Sequence, residues 1–135
     1  IFLWSPTSRL DMGWEPVFKY MARELGQNPD STDEKDQCVS ESFRNQDLVR
    51  AIDTFSNKIR KLKERRSDHS QQLPSICLIA DDVDDDPAAV RNSNFVQAFV
   101  KLRHIQISTA LLSQKWKLFL KNLQLARVSP MERLN

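Results

Sequence analysis

Five aspartates are packed into six positions directly behind an apolar run. Ile76-Cys77-Leu78-Ile79-Ala80 leads into Asp81-Asp82-Val83-Asp84-Asp85-Asp86, and Pro87 closes the acidic stretch. Adjacent carboxylates at the end of a buried strand suit phosphoryl transfer. The first, Asp81, is placed to hold hydrated Mg²⁺ through one of its waters, because this ion keeps several waters and takes few protein ligands beside substrate phosphates. The second, Asp82, is placed to orient or deprotonate an attacking water. An acidic, solvated loop after a core strand accounts for the same residues without chemistry, and at this level both readings stand. A calcium loop does not fit: Pro87 occupies the position of the sharp-turn glycine, and Ser93 that of the bidentate glutamate.

Further along, Leu111-Leu112-Ser113-Gln114 sets a neutral amide behind a second apolar run. Gln114 either contacts a γ-phosphate or holds a water there, or is a surface residue at a strand end. Arg103 and His104 precede that run and fall at the opposite edge of the sheet if the strand is parallel. Arg103 then serves a neighbouring subunit or DNA and His104 local hydrogen bonds, or both are cations closing a helix beside its macrodipole. The basic run Lys58, Arg60, Lys61, Lys63, Arg65 and Arg66 is either a phosphate-backbone contact or a solvated helix end. Trp4, Trp14 and Trp116 sit in apolar stretches and read as core. Cys38 and Cys77 stand far apart, with no ligand spacing, and read as inert thiols rather than a disulfide or zinc site. No Ser-His-Asp or Cys-His spacing is defensible. With only Gly13 and Gly26 in the chain, no glycine-rich phosphate loop can be built from it.

The elements that must position these residues follow from pattern. The chain has 135 residues, 20 basic against 18 acidic for a net charge of +2, and is 40% apolar and 28% charged. That composition supports one globular domain over residues 1–135. No apolar run approaches the roughly 20 residues of a membrane span, and Ile1-Phe2-Leu3-Trp4 is no signal peptide, so the expectation is a soluble, intracellular protein. Residues 1–7 read as a buried strand stopped by Ser5-Pro6. A helix follows, with Asp11 as N-cap, Pro16 in its first turn, Trp14, Val17, Phe18, Met21 and Leu25 on one side, and Gly26 at its end. Residues 27–41 read as a polar loop. Leu48, Ile52, Phe55, Ile59 and Leu62 mark an amphipathic helix of some five turns.

After the strand at 76–80 comes a helix carrying Phe95, Val96, Phe99, Val100 and Leu102. A strand over 105–112 and a last helix from Lys115 complete the chain. Strands alternating with helices predict an α/β domain with a mainly parallel sheet and right-handed crossovers. Ligands of such sheets bind at the carboxyl ends of the strands, where Asp81 and Asp82 emerge. The chain reads as cut at both ends, and a truncated sheet with an apolar edge is expected to be poorly soluble.

Taken in order, three stretches resemble the genome-packaging ATPases of large nucleocytoplasmic DNA viruses, the poxvirus-type branch of the FtsK/HerA-like P-loop ATPases. Ile1 to Asp11, IFLWSPTSRLD, is similar to the family's second strand and following turn. Ile76 to Asp82, ICLIADD, resembles its Walker B strand, and Arg103 to Gln114, RHIQISTALLSQ, its sensor segment. The resemblance runs from residue 1 to about 130 and is weak over 26–46. It implies a partial P-loop NTPase, a RecA/FtsK-like three-layer sandwich with a mainly parallel sheet. It further implies ATP and Mg²⁺ as cofactors, with Asp81 holding Mg²⁺ through water, Asp82 acting on the attacking water and Gln114 sensing the γ-phosphate. Arg127 is matched to an arginine near the subunit interface.

The implied partners are double-stranded DNA, further copies of the chain in a homo-oligomeric ring, and capsid proteins. The implied setting is the cytoplasm or viral factory of an infected host cell, or the virion. The family's Walker A loop, GxxxxGK[ST], lies on the strand and helix before the one with which this chain opens, and it is absent from the 135 residues. The chain alone is therefore expected not to hydrolyse ATP, being a fragment of a longer ATPase or a relative that has lost catalysis. Two rivals remain. In a helicase core, Ser108 and Thr109 would belong to a helicase motif. A non-catalytic remnant would bind DNA or a capsid protein through Lys58, Arg60 and Lys61.

Overall fold

A computed structural model describes residues 1–65, 75–101 and 106–114. Four strands, β1 (Phe2–Trp4), β2 (Val39–Ser40), β3 (Ile76–Asp81) and β4 (Ile107–Leu112), form one sheet in the order β2-β1-β3-β4. Every neighbouring pair is parallel, with Trp4 opposite both Ser40 and Ala80, and Asp81 opposite Leu112. The helices are α1 (Glu15–Glu24), α2 (Asn45–Arg65), α3 (Pro87–Val90) and α4 (Ser93–Lys101). The chain is thus an α/β protein with a fully parallel sheet, as the alternation of patterns predicts.

Successive residues of a strand face opposite sides of the sheet, and β1 shows what this does to the core. Leu3 packs with Met21 of α1, Cys38 and Val39, joined by half-buried Val17, Phe18 and Ile79. Trp4 faces the other way, into Leu48, Phe55 and Ile59 of α2, Phe95 and Ala98 of α4, and Leu78, Ala80 and Ile107 of the sheet. At its centre Trp4, Phe43 and Phe95 meet edge to face, with ring centroids 4.9 to 6.5 Å apart. Helices therefore cover both faces, α1 on one and α2 with α4 on the other.

Local chemistry sets the boundaries. Pro16 sits in the first turn of α1, where its missing N–H costs nothing. Asp11 caps not α1 but the 3₁₀ turn Met12–Trp14 before it, accepting from the Gly13 N–H. Gly26 takes φ +63°, and the Gln27 N–H folds back onto the Met21 carbonyl. On α2 the buried residues Leu48, Phe55 and Ile59 follow the expected spacing.

Two elements depart from the sequence pattern. The polar stretch 27–41 contains β2, whose two residues are too few to show a period. Leu3 donates to the Cys38 carbonyl at 2.8 Å and Ser5 to the Ser40 carbonyl at 2.9 Å, so backbone pairing alone defines it. Pro87 closes the acidic run as expected and also opens α3, a short helix the pattern does not show, with the Asp86 carboxylate accepting from the Ala88 N–H at 2.8 Å. Trp4 is core, whereas Trp14 is only half-buried. The expected helix from Lys115, with Trp116, lies outside the described residues, as do Leu102, Arg103, His104, Ile105 and Arg127. Among the described residues no helix is long and apolar enough to cross a membrane.

Candidate active site

The path of the chain creates a crevice at one place. From β1 the chain leaves through α1 on one face to reach β2. From β3 it leaves through α3 and α4 on the other face to reach β4. β1 and β3 are hydrogen-bonded neighbours, so their outgoing connections part company between them. Such a switch point, at the carboxyl ends of adjacent parallel strands, is where open α/β sheets bind ligands.

Asp81 ends β3 at this crevice, half-buried, and its Oδ2 accepts a hydrogen bond from the Ser5 hydroxyl at 2.7 Å. Its other carboxylate oxygen has no partner among the described residues. Ser5 follows the last residue of β1 and is wholly buried, and its hydroxyl also lies 3.3 Å from that of Thr7. The chain then turns at once, with the Ser8 N–H donating to the Ser5 carbonyl at 3.1 Å across Pro6.

Asp82 leaves the strand in the left-handed region, φ 47° and ψ 33°. This conformation is uncommon for residues other than glycine, though aspartate and asparagine tolerate it best. Its N–H still donates to the Leu112 carbonyl at 2.9 Å, carrying the pairing of β3 with β4 one residue past the strand end. Its half-buried carboxylate makes no hydrogen bond or ion pair with the described residues. Val83 then dives into the core. Of the remaining aspartates, Asp86 is consumed as the cap of α3. The acidic run is thus not one solvated loop: Asp81 and Asp82 stand at the crevice, and the rest of it turns away into a 3₁₀ turn and a helix start.

Gln114 lies two residues beyond Leu112, the register partner of Asp81, and is exposed. The fold thus brings Asp81, Asp82 and Gln114 to the same edge of two neighbouring strands. It does not bring Lys58, Arg60 and Lys61 there. Helix α2 starts from the carboxyl edge after β2 and must end at the amino edge to feed parallel β3, so these cations lie at the opposite side of the sheet, with Arg60 and Lys61 exposed. Arg103 and Arg127 fall outside the described residues. Ser5 was not legible as a site residue: Ser-Pro after an apolar run signals only a stop, and nothing in the sequence states that β1 lies beside β3.

Among the described residues no group of three or more His, Cys, Asp or Glu side chains is gathered as a metal cage. The pair at the crevice fits a different kind of site, one that uses one or two carboxylates and leaves the remaining positions to water and phosphate. A separate cavity of about 300 Å³ opens at the start of α2, lined by Glu34, Lys35, Arg44, Gln46, Asp47 and Arg50. Four of its charged side chains pair with one another. Buried Asp47 pairs with Arg44 at 3.4 Å and Arg50 at 3.5 Å, and Arg44 also reaches Glu34 at 3.6 Å. Burial pushes the Asp47 carboxyl above its ordinary value, against the pull of the two guanidiniums.

Comparison of this chain with protein-family models, with curated proteins and with solved structures finds no match.

Proposed function

We propose that the crevice between β1 and β3 is the catalytic edge of an ATP-hydrolysing site in a P-loop-type motor that moves double-stranded DNA, working as a homo-oligomeric ring that packages a viral genome. The observation that carries this reading is the position of Asp81 and Asp82 at the switch point, with Gln114 two residues beyond the end of the adjoining strand. DNA, ring and capsid partners rest on the resemblance of the three segments described above.

Mg²⁺, when bound, neutralises charge on the β- and γ-phosphates; Asp81 would hold it through one of the ion's waters, using the carboxylate oxygen that Ser5 does not engage. Asp82 orients a water against the γ-phosphorus and takes its proton. The new oxygen–phosphorus bond forms as the bond to the bridging oxygen breaks, releasing ADP and phosphate. Gln114 offers its amide to the γ-phosphate or the water without adding charge. The glycine-rich cradle that such chemistry needs for the phosphates is not among these 135 residues.

The test begins with the intact mass and amino-terminal sequence of the polypeptide made from the native gene, which show whether GxxxxGK[ST] stands upstream of Ile1. Mg²⁺-dependent ATP turnover of that polypeptide, with and without duplex DNA, is then measured for wild type, Asp81→Asn and Asp82→Asn. Losses of roughly 10²- to 10⁴-fold in kcat are expected for Asp82→Asn, with a comparable collapse for Asp81→Asn. Turnover unaffected by both substitutions would remove the crevice from the mechanism. Strand separation of the duplex would redirect the reading to a helicase.

A further inference from the structure

We infer that Ser5 is a positioning residue for Asp81, fixing which carboxylate oxygen is presented to a divalent cation carried by a nucleotide; this rests on the function proposed above. Three strands converge on this one residue. The β1–β3 register that sets Trp4 opposite Ala80 brings Ser5 beside Asp81. The Ser5 N–H is tied to the carbonyl of Ser40, the last residue of β2, at 2.9 Å, so the residue cannot drift along the edge. Its hydroxyl donates to Asp81 Oδ2 at 2.7 Å, and Thr7 Oγ1 at 3.3 Å is left to donate to the Ser5 oxygen.

A hydroxyl with no solvent exposure must find a partner or bear the cost of desolvation. Here that partner is the carboxylate. With Oδ2 held, the carboxylate cannot turn over without breaking a part-buried, charge-assisted hydrogen bond. Oδ1 is therefore the oxygen left to meet the ion. Packing gives no reason for an oxygen at this position, since alanine would fill most of the same space.

The experiment uses the polypeptide made from the native gene as wild type, Ser5→Ala, Ser5→Cys, Asp81→Asn and the Ser5→Ala/Asp81→Asn double variant. Cysteine roughly preserves volume while offering only a weak donor, and it serves where alanine fails to melt cooperatively. Binding of Mn²⁺ is read by electron paramagnetic resonance in the presence of a non-hydrolysable ATP analogue, beside the Mg²⁺ dependence of turnover.

Loss of a group that orients a metal ligand typically weakens affinity 10- to 100-fold. A rise of roughly tenfold or more is therefore expected in the Mn²⁺ dissociation constant and the Mg²⁺ half-saturation of both Ser5 variants. The double variant should bind no more weakly than Asp81→Asn alone. Wild-type affinity in both Ser5 variants, or additive losses in the double variant, would overturn the role of Ser5 while leaving the site intact. A wild-type protein that neither binds the Mn²⁺–nucleotide pair nor hydrolyses ATP would overturn the site itself, and Ser5 with it.

Discussion

Asp47 and Asp81 both lie near the carboxyl edge of the sheet, yet their surroundings assign them opposite duties. Asp47 is buried between Arg44 and Arg50, so its carboxyl is committed to the start of α2. Asp81 is anchored by a single neutral hydroxyl, and its other oxygen has no partner among the described residues. The difference has a pH signature. Burial raises the folded-state pKa of Asp47 above its ordinary value of 3.8, so between that value and the raised one the folded protein holds more protons than the unfolded chain. The stability this contributes is fully present below 3.8 and is lost as pH rises through the folded pKa. Relative to Asp47→Asn, the Tm of wild type should therefore fall with rising pH across that window. A constant difference between the two melting curves from pH 3 to 7 would count against it. Of the residues at the crevice, the sequence disclosed Asp81, Asp82 and Gln114, because each follows an apolar run. Ser5 stayed hidden, because its significance lies in a partner 76 positions away.

Among the elements, those with enough apolar positions to show a pattern were legible in the sequence. α2 and β3 carry enough apolar positions to show their period, and both appear where the pattern puts them. β2 and α3 did not announce themselves, since two and four residues are too short to repeat. They exist because backbone groups of Leu3 and Ser5 need carbonyl partners, and because Asp86 and Pro87 together suit a helix start. What joins the elements on the α2 side is the aromatic trio, in which Phe95 is wholly buried against Trp4 and Phe43. Phe95→Ala should cost about 3 to 5 kcal/mol by denaturant titration, as large-to-small substitutions in aromatic cores do. A loss under about 1 kcal/mol would mean that α4 is not held to the sheet by this contact.

For the molecule as a whole, the decisive fact was the strand order, which no local pattern encodes. Pattern predicts three of the four strands and the longer helices, but not that β1 sits between β2 and β3 and so places the divergence of connections beside Asp81. The same order sends the basic end of α2 to the far edge, and so separates two features that the linear sequence left free to share a site. The left-handed turn at Asp82 adds a consequence for the whole molecule's stability. An L residue at φ 47° is under conformational tension that glycine does not feel. Asp82→Gly should therefore leave the protein as stable as wild type or more so, by up to about 1 kcal/mol in denaturant titration, while abolishing turnover. A glycine variant that is clearly less stable would show the carboxylate to be part of what holds the fold together. If the gain is observed, position 82 is one where a sequence drifting toward stability would lose its aspartate, and its retention there would mark selection acting on what the protein does rather than on how firmly it folds.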